Sequence, residues 1–174
     1  MNKGGFFMKN LKLYMISGAV FVSILGTLLH FAYNIFGQNA IVGLFTPINE
    51  STWEHMKLVF FPMIICYIYF NIRLKSEFPC INSAMAFATL VGTFLIPVLF
   101  YTYSGILGYN LAFFDISTFF ISVIYSFYLA YKLTNSCKAE RYETLLFSLL
   151  VIVGVLFIIF TLYPPKIGLF VSPV

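Results

Sequence analysis

Five apolar runs, separated by short polar breaks, organise the chain. They occupy residues 13–36, 51–72, 81–103, 111–131 and 144–162. A helix needs roughly 20 residues to cross about 30 Å of hydrocarbon, so each run is predicted to be a transmembrane helix. The first is too long for the apolar part of a signal peptide, and no small-residue cleavage site follows it, so it is expected to be retained. Asn49 or Ser51 can cap the second, and Ser51-x-x-Glu54 has the spacing of a capping box. Pro62 and Pro97 are candidate kinks inside the second and third. On the third, Ser83, Ala84, Ala86, Ala88, Gly92 and Thr93 are small enough for close helix contact in lipid. The fifth is the most uniformly apolar and is expected to face lipid more than the others. Between the first two runs, residues 37–49 carry turn formers at both ends and an apolar middle, 40–45. That middle is expected at the interface or folded back into the bundle.

Composition agrees with this pattern. Hydrophobic residues make up 61% of the chain and charged ones 9%, against about 25% charged in soluble domains. The expected fold is therefore an all-α integral membrane bundle of five helices, one domain over residues 1–174, in the cell (plasma) membrane. The net charge of +4 is spread over short loops and does not form the basic stripe that nucleic acid requires. The expected partners are the lipid bilayer and either further copies of the chain or a membrane partner protein.

The basic residues also set a direction. Of the ten Lys and Arg, Lys3, Lys9, Lys12, Arg73, Lys75, Lys132, Lys138 and Arg141 fall on one side, leaving Lys57 and Lys166 for the other. The positive-inside rule then puts the N-terminus in the cytoplasm and the C-terminal tail outside. Cys80 and Cys137 fall in cytoplasmic loops on this topology, where thiols stay reduced. Cys66 lies within an apolar run, where a buried thiol is inert.

Against this background the stretch 49–57, NESTWEHMK, is unusual, because it gathers two glutamates, a histidine, a lysine and the one tryptophan. The apolar part behind it, residues 58–72, is about 22 Å long as a helix, short of the ~30 Å core. The turn carrying Glu54, His55 and Lys57 is thus expected to be drawn into the outer leaflet and sheltered. His30, about 26 Å along the first helix, and Asp115, one turn into the fourth, reach a similar depth. An Asp within a membrane helix costs roughly 2.5–3.5 kcal/mol, so such groups turn inward and find partners. Helical spacing puts Glu50, Glu54 and Lys57 on one face and His55 about 100° away, above Ser51.

Three readings of this cluster stay open. One is a structural network of Asn49, Glu54, Lys57 and Asp115, with Trp53 in the interfacial aromatic belt. The second is a zinc or other divalent-metal centre drawing on His30, Glu50, Glu54, His55 and Asp115, with Glu54, His55 or Asp115 in catalytic roles. Three protein ligands and one open position suit catalytic zinc. The third is an ion or small-solute pathway, although the inner halves of the helices offer only hydroxyls such as Ser126 and Tyr128. No spaced ligand motif such as HExxH accompanies the cluster, nor does a GxSxG or a phosphate-binding glycine fingerprint.

The chain also resembles a family of small bacterial multi-pass membrane proteins of unassigned function, recognisable by N-E-S-x-W-E-H-x-K. The likeness includes His30-Phe31, Tyr33, Gly37, Asn39, Val42-Gly43-Leu44-Phe45 and Pro47 upstream. Downstream it includes Lys57-Leu58, Phe60-Phe61-Pro62, Asp115-Ile116, Phe119-Phe120, Pro164-Pro165 and Leu169-Phe170. The resemblance implies no activity. Family members often carry a histidine after the Pro-Pro pair, where this chain has Lys166, and an Asp-Pro where it has Ser172-Pro173.

Overall fold

The computed structural model describes the backbone of residues 3–172 and the side chains of residues 11–172. The side chains of Lys3 and Lys9, and Pro173 in the tail, lie outside the described residues. Among the described residues six α-helices follow one another: α1 (Lys3–Ile35), α2 (Ala40–Gly43), α3 (Thr52–Leu74), α4 (Ile81–Leu107), α5 (Ala112–Ser136) and α6 (Glu143–Leu162). Short 3-10 turns occupy Glu140–Tyr142 and Gly168–Phe170, and no strand occurs among the described residues. All of these helices except the four-residue α2 are long and apolar enough to cross a membrane.

Their boundaries follow local chemistry. The Ser51 hydroxyl caps α3 by accepting the Glu54 amide at 3.4 Å. The reciprocal half of the expected capping box is absent, since the Ser51 amide donates to Asn49 Oδ1 at 2.9 Å and the Glu54 carboxylate is engaged elsewhere. Helices α3 and α4 continue through Pro62 and Pro97. Gly108, with φ 79°, ends α4 in the left-handed conformation that costs glycine nothing.

Helix α4 is the centre of the bundle and packs against α3, α5 and α6, while α1 packs against α3 and α5. The small residues of α4 make this possible: Ser83, Ala84, Ala86, Ala88, Gly92 and Thr93 are all buried. At Gly92 a single added carbon would collide with the Ser126 hydroxyl of α5. Contrary to the expectation for α6, the helix least covered by the rest of the protein is α1. Of its most apolar stretch 22% is buried, against 28% for α6. The reason is that α6 gives one stripe to the interior, Leu146, Leu150, Val153, Phe157 and Thr161.

Two other expectations are corrected. Trp53 is not in an interfacial belt; it is 5% exposed and sits among Phe157, Phe160 and Phe170 at centroid distances of 4.7, 5.5 and 4.9 Å. The tail after Pro164-Pro165 folds back to complete that cluster. Cys80 and Cys137, expected as free thiols, form a disulfide, their Cα atoms 5.3 Å apart. Cys80 precedes α4 and Cys137 follows α5, so the antiparallel packing of the two helices brings both cysteines to one end. Cys66 is free and buried.

Candidate functional site

The polar residues of NESTWEHMK divide into two groups on opposite sides of the start of α3. The first centres on Lys57, which is fully buried. Its ammonium donates to Glu54 Oε2 at 2.7 Å, to the Gly43 carbonyl at 3.0 Å and to the Thr46 carbonyl at 3.4 Å. Glu54 Oε2 also accepts the Ile48 amide at 3.0 Å, and its Oε1 accepts the Thr161 hydroxyl at 3.3 Å. The 37–49 connection thus folds back through α2, held by Asn39 at its start, to present carbonyls to Lys57. One ion pair ties this connection, α3 and α6 together.

This arrangement revises the expected structural network. Lys57 pairs with Glu54 and not with Asp115, whose carboxylate accepts a hydrogen bond from the Tyr103 hydroxyl. Asn49 is exposed and serves the local turn before α3. Both oxygens of Glu54 are committed, so it has none to offer as a metal ligand or base.

The second group is formed by His30, Glu50 and His55. One donor atom from each lies within 4.8 Å of the other two. Glu50 precedes the Ser51 cap, so the helical face that was to join it to Glu54 does not exist there, and its side chain turns to His55 instead. Glu50 Oε2 lies 3.2 Å from His55 Nε2. That contact holds the Glu50 carboxyl below the usual carboxylate range, against the opposing effect of burial. His55 Nδ1 lies 3.1 Å from the Ser51 carbonyl, which only accepts, so Nδ1 carries a hydrogen. Nε2 is the ring nitrogen that faces Glu50. The imidazole of His30 stacks on His55 with centroids 5.3 Å apart, and its Nδ1 is buried without a hydrogen-bond partner.

Two imidazoles and a carboxylate converging in this way are the donors that divalent zinc takes. A histidine whose other ring nitrogen donates to a backbone carbonyl is the usual form of a zinc-bound histidine.

The group faces a cavity of about 520 Å³ between α1, α3, α4 and α5. Asp115 lines the same cavity, together with Thr52, Asn110 and Thr118. Apolar walls are supplied by Phe31, Leu58, Ile96, Phe100, Ile116 and Phe119. At its floor the α1 backbone comes close to α3 and α5: a Cβ on Gly26 would lie 2.6 Å from both the Leu58 carbonyl and the Phe119 ring. Sequence reasoning missed Tyr103, one tyrosine among twelve, and nothing in its spacing distinguishes it. Ser126, a candidate for a polar pathway, is buried and bonded to the Ser122 carbonyl, and it does not line the cavity.

Comparisons with curated proteins and with solved structures find no match. A family model matches residues 5–174, and the chain accordingly belongs to the family of unknown function DUF6512.

Proposed function

We propose that this protein is a metal-dependent hydrolase of the membrane, with one divalent ion, zinc by the chemistry of its donors, held by His30, Glu50 and His55. The observation that carries this reading is the convergence of those three donors on a cavity, with the tautomer of His55 set by the Ser51 carbonyl. A zinc bound there supplies a Lewis acid and an activated water. Asp115, outside the triad and on the same cavity, would be the proton acceptor, its carboxylate held by the Tyr103 hydroxyl.

A purely structural role accounts for Glu54 and Lys57, which satisfy each other. It leaves His30 Nδ1 buried and unsatisfied, a costly state. A transport role has only buried hydroxyls, among them Thr93, Ser122 and Ser126, and no described charged group in the middle of α4 and α5 to continue the path.

In the same proposal the chain sits in a bacterial plasma membrane with its N-terminus in the cytoplasm, so the site opens at the outer face. The charge bias supports this orientation. The Cys80–Cys137 bond points the other way, since disulfides persist in oxidising compartments. The charge bias acts during insertion and so sets the orientation, whereas the bond forms only after folding has brought the two thiols together.

The test is the metal content of protein purified in detergent, equilibrated with zinc and desalted. One zinc per chain is expected, with loss of that zinc in His30→Ala, Glu50→Ala and His55→Ala while the thermal unfolding profile is kept. Wild-type protein that retains no zinc overturns the reading.

A further inference from the structure

Building on the metal reading of the site, we infer that the substrate is a membrane lipid carrying an uncharged carboxylic ester, which enters sideways between α1 and α5. Two independent features of the cavity support this inference. The first is its opening. Thr27 and Phe31, one turn apart on α1, line the cavity and are exposed; so are Ala112, Ile116 and Phe120, one turn apart on α5. These two rows are the lips of a slot that opens on the flank of two helices apolar enough to lie in lipid. An acyl chain can pass through such a slot without leaving the hydrocarbon, and Phe119 and Leu58 continue the apolar surface inward.

The second feature is charge. Among the described residues none that lines the cavity is Lys or Arg, and Lys57 is committed to Glu54 on the other side of α3. Glu50 and Asp115 both face the cavity, so beyond the bound ion itself a phosphate at the reacting position would meet two carboxylates and no cationic Lys or Arg side chain. Arg and Lys are the side chains that usually share the charge of a bound phosphate. A neutral ester carbonyl meets no such repulsion, and the side-chain amide of Asn110 can donate to its oxygen. The volume, about 520 Å³, lies within the roughly 300–1,000 Å³ of small-molecule sites.

In the reaction that follows, water adds to the acyl carbon and the bond between that carbon and the alcohol oxygen breaks. The proton lost by the water passes through Asp115 to the departing alcohol, and a fatty acid is released. Oxidation states do not change.

The experiment uses the full chain, zinc-loaded and reconstituted in phosphatidylcholine vesicles, with monooleoylglycerol as substrate and release of oleate as readout. Phosphatidic acid and the water-soluble ester para-nitrophenyl acetate are tested beside it. Oleate is expected from monooleoylglycerol, with no phosphate released from phosphatidic acid. Ile116→Trp, which narrows the slot, is expected to raise KM for monooleoylglycerol by about tenfold or more while the zinc content stays at one per chain. Zinc-bound protein that cleaves para-nitrophenyl acetate and releases no oleate overturns the lipid inference and leaves the hydrolase standing. Phosphate release overturns the charge argument. An unchanged KM in Ile116→Trp overturns the lateral route, and protein without zinc overturns both proposals.

Discussion

Lys57 has three N–H donors and three acceptors, the carbonyls of Gly43 and Thr46 and the carboxylate of Glu54. Such a residue costs little while its partners are present and much when one is removed. Breaking a buried pair typically costs about 3–5 kcal/mol, whereas replacing both partners together is often close to neutral. Lys57→Met is therefore expected to lower the unfolding temperature in detergent sharply, and the double variant Glu54→Gln/Lys57→Met to recover part of the loss. A melting curve for Lys57→Met superimposable on that of wild type would show that the pair does not hold the α2 connection. The separation of Lys57 from His55 was legible from helical spacing, because side chains three apart share a face and neighbours do not. The partner of Lys57 was not legible, because two of its three acceptors are backbone carbonyls, and every residue carries one.

Among the elements, α4 shows how sequence becomes packing. Lipid tails are as apolar as leucine side chains, so helices in a membrane associate through close contact and not through exclusion of water. The small residues of α4 were readable as a contact face for that reason, and all of them are buried. Gly92 is the closest approach. Gly92→Val pushes a branched side chain into Ser126, and overpacking of this kind costs roughly 1–3 kcal/mol. We expect reduced thermal stability for Gly92→Val and partial rescue of the milder Gly92→Ala by Ser126→Ala, read as a coupling in a double-mutant cycle. Additive effects in that cycle would mean that the two positions do not touch. The misplacement of Trp53 belongs to this scale as well. An aromatic at the start of a membrane helix reads as a belt residue, and only the tail folding back from Pro164-Pro165 brings Phe170 over it.

For the whole molecule, orientation and the Cys80–Cys137 bond at the end remote from the site each have a direct measurement. In a chain whose native cysteines are replaced by serine, Lys166→Cys is expected to react with an impermeant maleimide added to intact cells, and Lys75→Cys only after permeabilisation. The reverse labelling would invert the topology and place the cavity on the cytoplasmic side. In purified native protein, mass spectrometry after alkylation is expected to find Cys80 and Cys137 protected until a reductant is added. Alkylation of Cys137 before reduction would show that the pair is not joined. The bond links the loops α3–α4 and α5–α6, so it fastens the antiparallel α4–α5 pair at one end while the Glu54–Lys57 knot fastens α3 to α6 at the other.

The sequence by itself determined the five membrane-length helices, along with the small-residue face of α4, though α4 and α5 run on to Leu107 and Ser136, past the apolar runs. These are properties of contiguous residues: the length of an apolar run and the spacing of side chains along it. It also singled out His30, Glu50, Glu54, His55, Lys57 and Asp115 as polar groups in need of partners. Only the tertiary structure decided how they sort, because that depends on which carbonyls and side chains distant segments bring near. The 37–49 connection folds back and takes Lys57 and Glu54 out of contention. Glu50, left outside the helix by the Ser51 cap, turns to His55, and α1 supplies His30. Asp115 is drawn to Tyr103 across the α4–α5 turn, on the wall of the cavity that the three metal-competent donors share.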